Sequence, residues 1–441
     1  MNYKVETLDR SFKENIQIEY PKDLTEIINL INSNKKISLI GSGLSFVPNF
    51  ASKESISICL KKNFNKIKNI DLDKNIVHVE CGITVRKLLN IISKEKKFLK
   101  ILPGWPEVTI GGCIANNVHG KNPYRDGVFQ EIVDEIEIIL PGKSSSIIAN
   151  RDKNKELFYN TCGGYGLTGL IISAKIKLSD IKSTNFLHKK VFTLNAVESM
   201  HQLLDNKNCF SSYAWHDLSL SKSWGKGIIN LYYEQNDTSN KYNSKKINTK
   251  FNLKKYKQPF NFYNSYSIKF INKIYLILNR LKARNIVGIN DLNFPINSFP
   301  IYLWYYLNGN IGFIESQVII PFKNFLGFNN ELKDTVFKNN VSIYANVMKI
   351  FNGSKSNLSF DGEGVCINYE FLSNIDNDFF DIFYKIVEKN NGITALYKDS
   401  KIPKYYIKSQ YKEKFEYFLN YINEIDNGNK FTSYFSEKLR R

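Results

Sequence analysis

Apolar residues recur at two periods along the chain, and glycine divides the stretches that keep each period. Between Tyr20 and Lys36, Leu24, Ile27, Ile28 and Ile31 fall at helical spacing behind Pro21 and ahead of an asparagine- and lysine-rich stop, which predicts a short helix. Val85, Leu88, Leu89, Ile91 and Ile92 predict a second one within Val85–Lys97. Short apolar runs at Ile37–Phe46, Ile56–Phe64 and Asn75–Thr84 read as strands. Glu131–Ala149 reads as a strand, a tight turn at Pro141 and Gly142, and another strand. Glu156–Asp180 gives a short helix, a glycine cluster from Gly163 to Gly169, and a strand.

Four glycine-marked loops thus stand next to strands: Gly41–Gly43, Gly82, Gly104–Gly120 and Gly163–Gly169. The longest, Leu102–Asn122, holds four glycines and His119 in a span that ends helix-like or looped. Glycine leaves no side chain between main chain and ligand. This pattern suits backbone wrapped along a phosphate-bearing cofactor, and it is also what an irregular loop of a large domain looks like.

Around Ile181–Asn185 the glycine turns stop, which places a domain boundary there. Beyond it, strands at Phe210–Leu218, Gly227–Glu234, Gly312–Phe322, Ser342–Phe351 and Gly364–Leu372 alternate with helices. A polar insertion, Asn236–Asn264, reads as a surface loop or flap. Ser265–Gly288 is amphipathic with basic residues on its polar side, as for a helix lying on the domain's own core or on a membrane. The tail ends in a short helix, Ser433–Arg441.

At 441 residues the chain exceeds one core, so two domains are expected. The formal charge of +19 comes mostly from scattered lysine, and Asn, Ile, Lys, Tyr and Phe are enriched together, as A/T-rich coding produces. Attraction to anionic substrates or an anionic membrane surface is the other use of such a charge. Nucleic-acid recognition is not expected without clustered Arg or a reading module. Six cysteines lie far apart with no CxxC and no Cys/His pairing, which fits a reducing compartment and no metal site. The polar start carries no apolar signal-like run, and no stretch of about 18 apolar residues exists. The expected location is cytoplasmic.

No GxSxG elbow, P-loop or complete GxGxxG is present. Separate glycine turns suit a long cofactor held by many backbone contacts, the requirement of FAD bound in extended form.

The four turns IGSGLSF, VECGIT, PGWPEVTIGGCIANNVHGKN and GGYGLTGLI resemble the FAD-binding domain of the vanillyl-alcohol oxidase superfamily, the PCMH type. VTIGGCIANNVHGKN, ELFYNTCGGYGLTGLI, YAWHDL, WGKG, IESQVIIP, VMKIF, GVCINYEF and the late LYKDSK are similar, more narrowly, to the decaprenylphosphoryl-ribose 2'-oxidase family, flavoproteins that form half of a sugar epimerase. The resemblance implies an α+β fold: a two-part FAD-binding domain (residues 1–181) and a substrate domain (182–393) whose antiparallel sheet, flanked by helices, covers the flavin. A C-terminal segment (394–441) would return to the first part.

The resemblance also implies residue roles. Gly41, Ser42, Gly43, Leu44, Ser45 and Phe46 would form the pyrophosphate loop. Gly104, Thr109, Gly111 and Gly112 would border pyrophosphate and flavin, and Ala115, Asn116, His119, Gly120 and Asn122 would flank the ring. Gly163, Gly166, Thr168 and Ile171 would hold the adenosine half. Gln317, Lys349, Cys366 and Lys398 would face the substrate, with Lys398 and His119 as catalytic candidates. Oxidising a secondary alcohol needs hydride transfer to the flavin and removal of the hydroxyl proton. Lys398 could be the base or could stay charged and stabilise an anion; His119 could be structural, and Cys366 a small buried hydrophobe.

Three departures from the family pattern matter. Leu44 and Phe46 occupy a loop where many members tether FAD through histidine, so FAD is expected to be noncovalent. Phe46 replaces a tyrosine and Glu315 a glutamine of close relatives, so the substrate is expected to differ. Tyr434 replaces an aspartate in the last helix, which weakens its expected docking. The expected substrate is a sugar or a sugar-phosphate lipid, with a separate short-chain reductase completing the epimerisation and a peripheral membrane location allowed. Two other functions fit the same chain: an aldonolactone or alditol oxidase using oxygen, and a non-catalytic glycan- or lipid-binding protein.

Overall fold

The computed structural model describes residues 2–235, 261–281, 284–294, 307–309, 312–353 and 358–440. The polar insertion lies outside these from residue 236 to residue 260.

Both expected N-terminal helices form, each with a side-chain cap. Asp23 accepts from Glu26 N ahead of Leu24–Asn32, and Thr84 accepts from Lys87 N ahead of Val85–Ile92. The first sheet runs in the order Asn2–Glu6, Lys13–Glu19, Ser55–Ile58, Lys36–Leu39, an antiparallel hairpin followed by parallel neighbours. The hairpin is an addition to the sequence reading: sparse alternation in a polar stretch still buries Val5, Ile16 and Ile18.

The second sheet is antiparallel, in the order Ile67–Asp71, Ile76–Glu80, Leu170–Lys177, Val133–Ile139, Ile147–Asn150. The sheets share a core in which Ile139, Leu170 and Ile172 meet Ile37, Ile56 and Ile58. Three of the glycine loops begin or end on strands of this pair: after Leu39, after Glu80 and before Leu170.

The third sheet has eight antiparallel strands, in the order Arg284–Gly288, Asn185–Thr193, Lys226–Glu234, Ser211–Asp217, Ile343–Asn352, Glu363–Leu372, Phe313–Ile320, Ile393–Thr394. Alternation along its strands separates two faces. Ile314, Val318, Met348, Ile350 and Ile367 join a core with Phe325, Phe328 and Leu332 of helix Phe325–Lys338 and Phe380, Phe383 and Val387 of helix Asn377–Lys389. The other face presents polar side chains.

Helices Lys404–Tyr411 and Glu413–Ile425 add Tyr406, Ile407, Phe415 and Phe418 to that core. The chain then crosses to the first sheet, where Ile37 N donates to Lys430 O and Thr432 N to Ile37 O, both at 2.8 Å. Tyr434 docks the last helix in its own way: its N–H donates to Ala51 O at 2.8 Å, and its ring meets Phe12 at 4.9 Å.

Candidate active site

A cavity of about 450 Å³ runs between the glycine loops and the polar face of the eight-stranded sheet. On the loop side it is lined by Gly41–Phe46, by Leu102–Trp105, by Gly111, Gly112, Ala115 and Asn116, and by His119–Lys121. Thr109 organises this wall: its hydroxyl accepts from Gly112 N at 3.2 Å and caps the helix Ile110–Ala115. A Cβ on Gly41 would sit 2.5 Å from that same hydroxyl, so the two loops touch only because position 41 has no side chain. Asn49 Nδ2 donates to Asn116 Oδ1, and Asn116 Nδ2 to Gly112 O, each at 2.9 Å, which fixes the Asn116 amide at the wall.

The sheet side is set by register. Glu315 pairs with Glu370 and Gln317 with Asn368, while Val347 pairs with Asn368. Opposed residues share a face, so Glu315, Gln317, Val347, Lys349, Asn368 and Glu370 all line the cavity. Tyr397 and Lys398 close it from the loop after the last short strand.

These groups form two connected clusters. His119 Nδ1 lies 3.1 Å from Gly120 O and its Nε2 3.1 Å from Gln317 Nε2, which fits a neutral imidazole donating from Nδ1 and accepting at Nε2. Burial, with the positive charge of Lys349 and Lys398, holds His119 well below its ordinary value of 6.5. Lys349 Nζ donates to Gly120 O at 2.9 Å. Its burial, reinforced by the charge of Lys121, pushes the amine down to about 7. Lys121 is lowered to about 8 by burial and by Lys398. In the second cluster Lys398 Nζ is 2.6 Å from Glu315 Oε1 and 5.2 Å from the centre of the Phe46 ring. Burial raises the Glu315 carboxyl and Lys398 opposes that rise.

Four expected site residues do not line the cavity. Asn122 donates to Lys207 O and Cys209 O at 3.0 and 2.8 Å and caps the next short helix, so its amide is spent on tying the loop to the turn ahead of strand Ser211–Asp217. Gly163, at φ +91°, is required because a Cβ would lie 2.4 Å from Ser359 Oγ. Thr168 is buried against Thr161, 3.0 Å between hydroxyls. Cys366 opposes Lys349 in the sheet but is buried off the cavity, its thiol pushed up to about 12 by burial. Conversely, Lys121, Trp105, Tyr213, Asn368, Glu370 and Tyr397 line it without having been singled out. Asn368 and Glu370 carry a signal that could have found them, two polar residues at alternate positions of an otherwise apolar strand.

The model of the FAD binding domain family matches residues 16–144. The chain is 24% identical over 334 residues to decaprenylphosphoryl-beta-D-ribose oxidase of Mycolicibacterium smegmatis, covering 71% of each chain. It is 26% identical over 201 residues to the mitochondrial L-galactono-1,4-lactone dehydrogenase of Brassica oleracea, covering 45% of this chain and 32% of the relative. It is 30% identical over 129 residues to D-lactate dehydrogenase [cytochrome] 1 of Saccharomyces cerevisiae, covering 28% and 22%.

The cavity fits FAD by its own chemistry. Nine of its lining residues are glycine, which leaves main chain open along the wall, and a Cβ on Gly104 would meet nothing within 4 Å. Val108, Val118, Leu170, Ile171 and Tyr397 supply the apolar surface a flat ring system needs. The chain carries a PCMH-type FAD-binding domain and is an FAD-dependent oxidoreductase.

Proposed function

We propose that the chain oxidises a secondary hydroxyl of a pentose carried on a phosphate or polyprenyl phosphate, giving a keto-sugar as the first half of an epimerisation that a separate reductase completes. The observation that carries this reading is the convergence of Lys121, Lys349 and Lys398 on one cavity. Two of these amines are held below their ordinary range by burial and mutual repulsion, and an anionic ligand relieves both. A relative's activity on a decaprenylphosphoryl ribose, as its name states, points the same way. The division into residues 1–181, 182–393 and 394–441 belongs to the same proposal, supported by the match at 16–144 and by the pairing of Ile37 with Phe431.

The wall of Gly41–Phe46, Gly104, Gly111 and Gly112 would hold FAD, which when bound would supply the hydride acceptor that oxidation of the sugar carbon needs. The protein's part is to place the sugar and move its hydroxyl proton. In the proposal Lys398 takes that proton while handing one of its own to the Glu315 carboxylate, whose affinity for it burial raises. Gln317, its amide held by neutral His119, orients the sugar from the side, and Lys349 with Lys121 holds the phosphate. FAD is held noncovalently in this reading. Leu44 offers no linking atom, both His119 nitrogens are engaged within the protein, and burial pushes the Cys81 thiol far up.

Among the described residues no helix is long and apolar enough to cross a membrane, so a lipid-carried substrate would be met by peripheral association. The test is anaerobic reduction of the bound flavin. A polyprenyl-phosphate pentose is expected to bleach it and a free aldonolactone not; rapid peroxide formation from the lactone in air would favour the oxygen-using alternative and sink the lipid-linked reading.

A further inference from the structure

Helix Ser265–Leu281 carries two apolar sectors, and one of them meets the protein. Ile268 and Ile271, with Tyr263 just ahead of the helix, pack with Leu8, Phe313 and Tyr344 and with Leu44, Phe46 and Trp105 of the cavity wall. On the same side Asn272 Nδ2 donates to Asp217 Oδ1 at 2.8 Å and the Tyr275 ring meets Trp215 at 4.7 Å. At about 100° per residue, Tyr266, Phe270, Ile274, Ile277 and Leu278 form a contiguous sector on the opposite side. They are 82%, 65%, 39%, 51% and 56% exposed. Lys269, Lys273 and Arg280, all exposed, line one edge of that sector. The sequence reading offered core or membrane for this helix; the structure uses one face for the core and leaves a second of the same character outward.

Charge selects what covers the outward face. The helix itself carries Lys269, Lys273 and Arg280 and no Asp or Glu. A second copy of the chain would bring the same charges together. An anionic bilayer offers acyl surface and negative headgroups at the depths where this helix has apolar side chains and a basic edge. We propose that Ser265–Leu281 lies in the plane of an anionic lipid surface, its outward sector among the headgroups and upper acyl chains and its inward sector backing Leu44, Phe46 and Trp105. The cavity wall is then held at the membrane interface. A lipid-carried sugar gives this docking its use, and in that clause alone the inference rests on the proposed function.

The test is co-sedimentation of the full chain with vesicles of phosphatidylcholine, with and without about 30% phosphatidylglycerol. Wild type is expected to pellet with the anionic vesicles only, and less so in high salt. Phe270→Asp with Ile277→Asp is expected to lower partitioning at least about tenfold, with flavin content unchanged. Lys269→Glu with Lys273→Glu is expected to lower it as well. Wild type remaining in the supernatant, the Phe270/Ile277 variant pelleting as well as wild type, or that variant only converting a dimer to monomer would each overturn the proposal. Vesicle binding is read without substrate, so failure of the polyprenyl-phosphate sugar to reduce flavin would leave it standing.

Discussion

Lys398→Met is expected to slow flavin reduction by the sugar about 10²-fold or more and to destabilise the protein by about 3 kcal/mol. Both effects come from one ion pair. Glu315 is 2% exposed and Lys398 21%, so removing the lysine strands a carboxylate that water barely reaches. The figure sits at the low end for a buried pair because the lysine is partly solvated. The pH dependence follows. Without Lys398 the folded state binds the Glu315 proton more tightly than the unfolded chain does, so the variant loses stability as pH rises from the ordinary carboxyl value of 4.5 toward neutrality. Adding Glu315→Gln removes the stranded charge. The double variant is expected to regain most of the stability, measured by denaturant melts, and none of the rate, measured by stopped flow. Recovery of the rate would take Lys398 out of the proton path.

Lys349→Met is expected to raise thermal stability, and to raise it more at about pH 6 than at about pH 9. The Lys349 amine titrates at about 7 when folded against an ordinary 10.5. Between those values the unfolded chain holds a proton that the folded chain lacks, so wild-type stability rises with pH across the window and the variant lacks that rise. Its advantage is full below about 7 and fades toward 10.5. The variant should also bind the phosphate-carried sugar at least about tenfold more weakly, since a charge-assisted contact is lost. A gain in stability with unchanged KM would take Lys349 out of substrate binding.

The parts of this site legible in the sequence are those in which main chain forms the cavity wall. Gly41, Gly43, Gly104, Gly111 and Gly112 mark the wall because glycine leaves the main chain open toward the cavity. The same rule also picks out Gly163, which lies off the cavity, since glycine demanded by a neighbouring Ser359 looks no different from glycine demanded by a cofactor. Asn122 is picked out for a similar reason and also lies off the cavity, its amide turning outward from the glycine-rich loop to bond Lys207 and Cys209. On the sheet side Gln317 and Lys349 were found through resemblance. Asn368 and Glu370 were passed over because both faces of their strand are buried and the polar alternation is masked by Tyr369 and Phe371. The ion pair of Glu315 with Lys398 spans 83 residues of sequence and could only be seen in the fold.

The central claim, that this cavity is an FAD site, is tested most directly by the flavin content of the purified chain beside Gly104→Phe. A Cβ at position 104 touches nothing, so the variant should fold as the wild type does while its ring occupies the cofactor's place. Wild type is expected to be yellow, to carry equimolar FAD after reconstitution and to release it on acid precipitation; Gly104→Phe is expected to stay folded and colourless. A colourless wild type that cannot be reconstituted, or a folded Gly104→Phe with full flavin, would contradict the account.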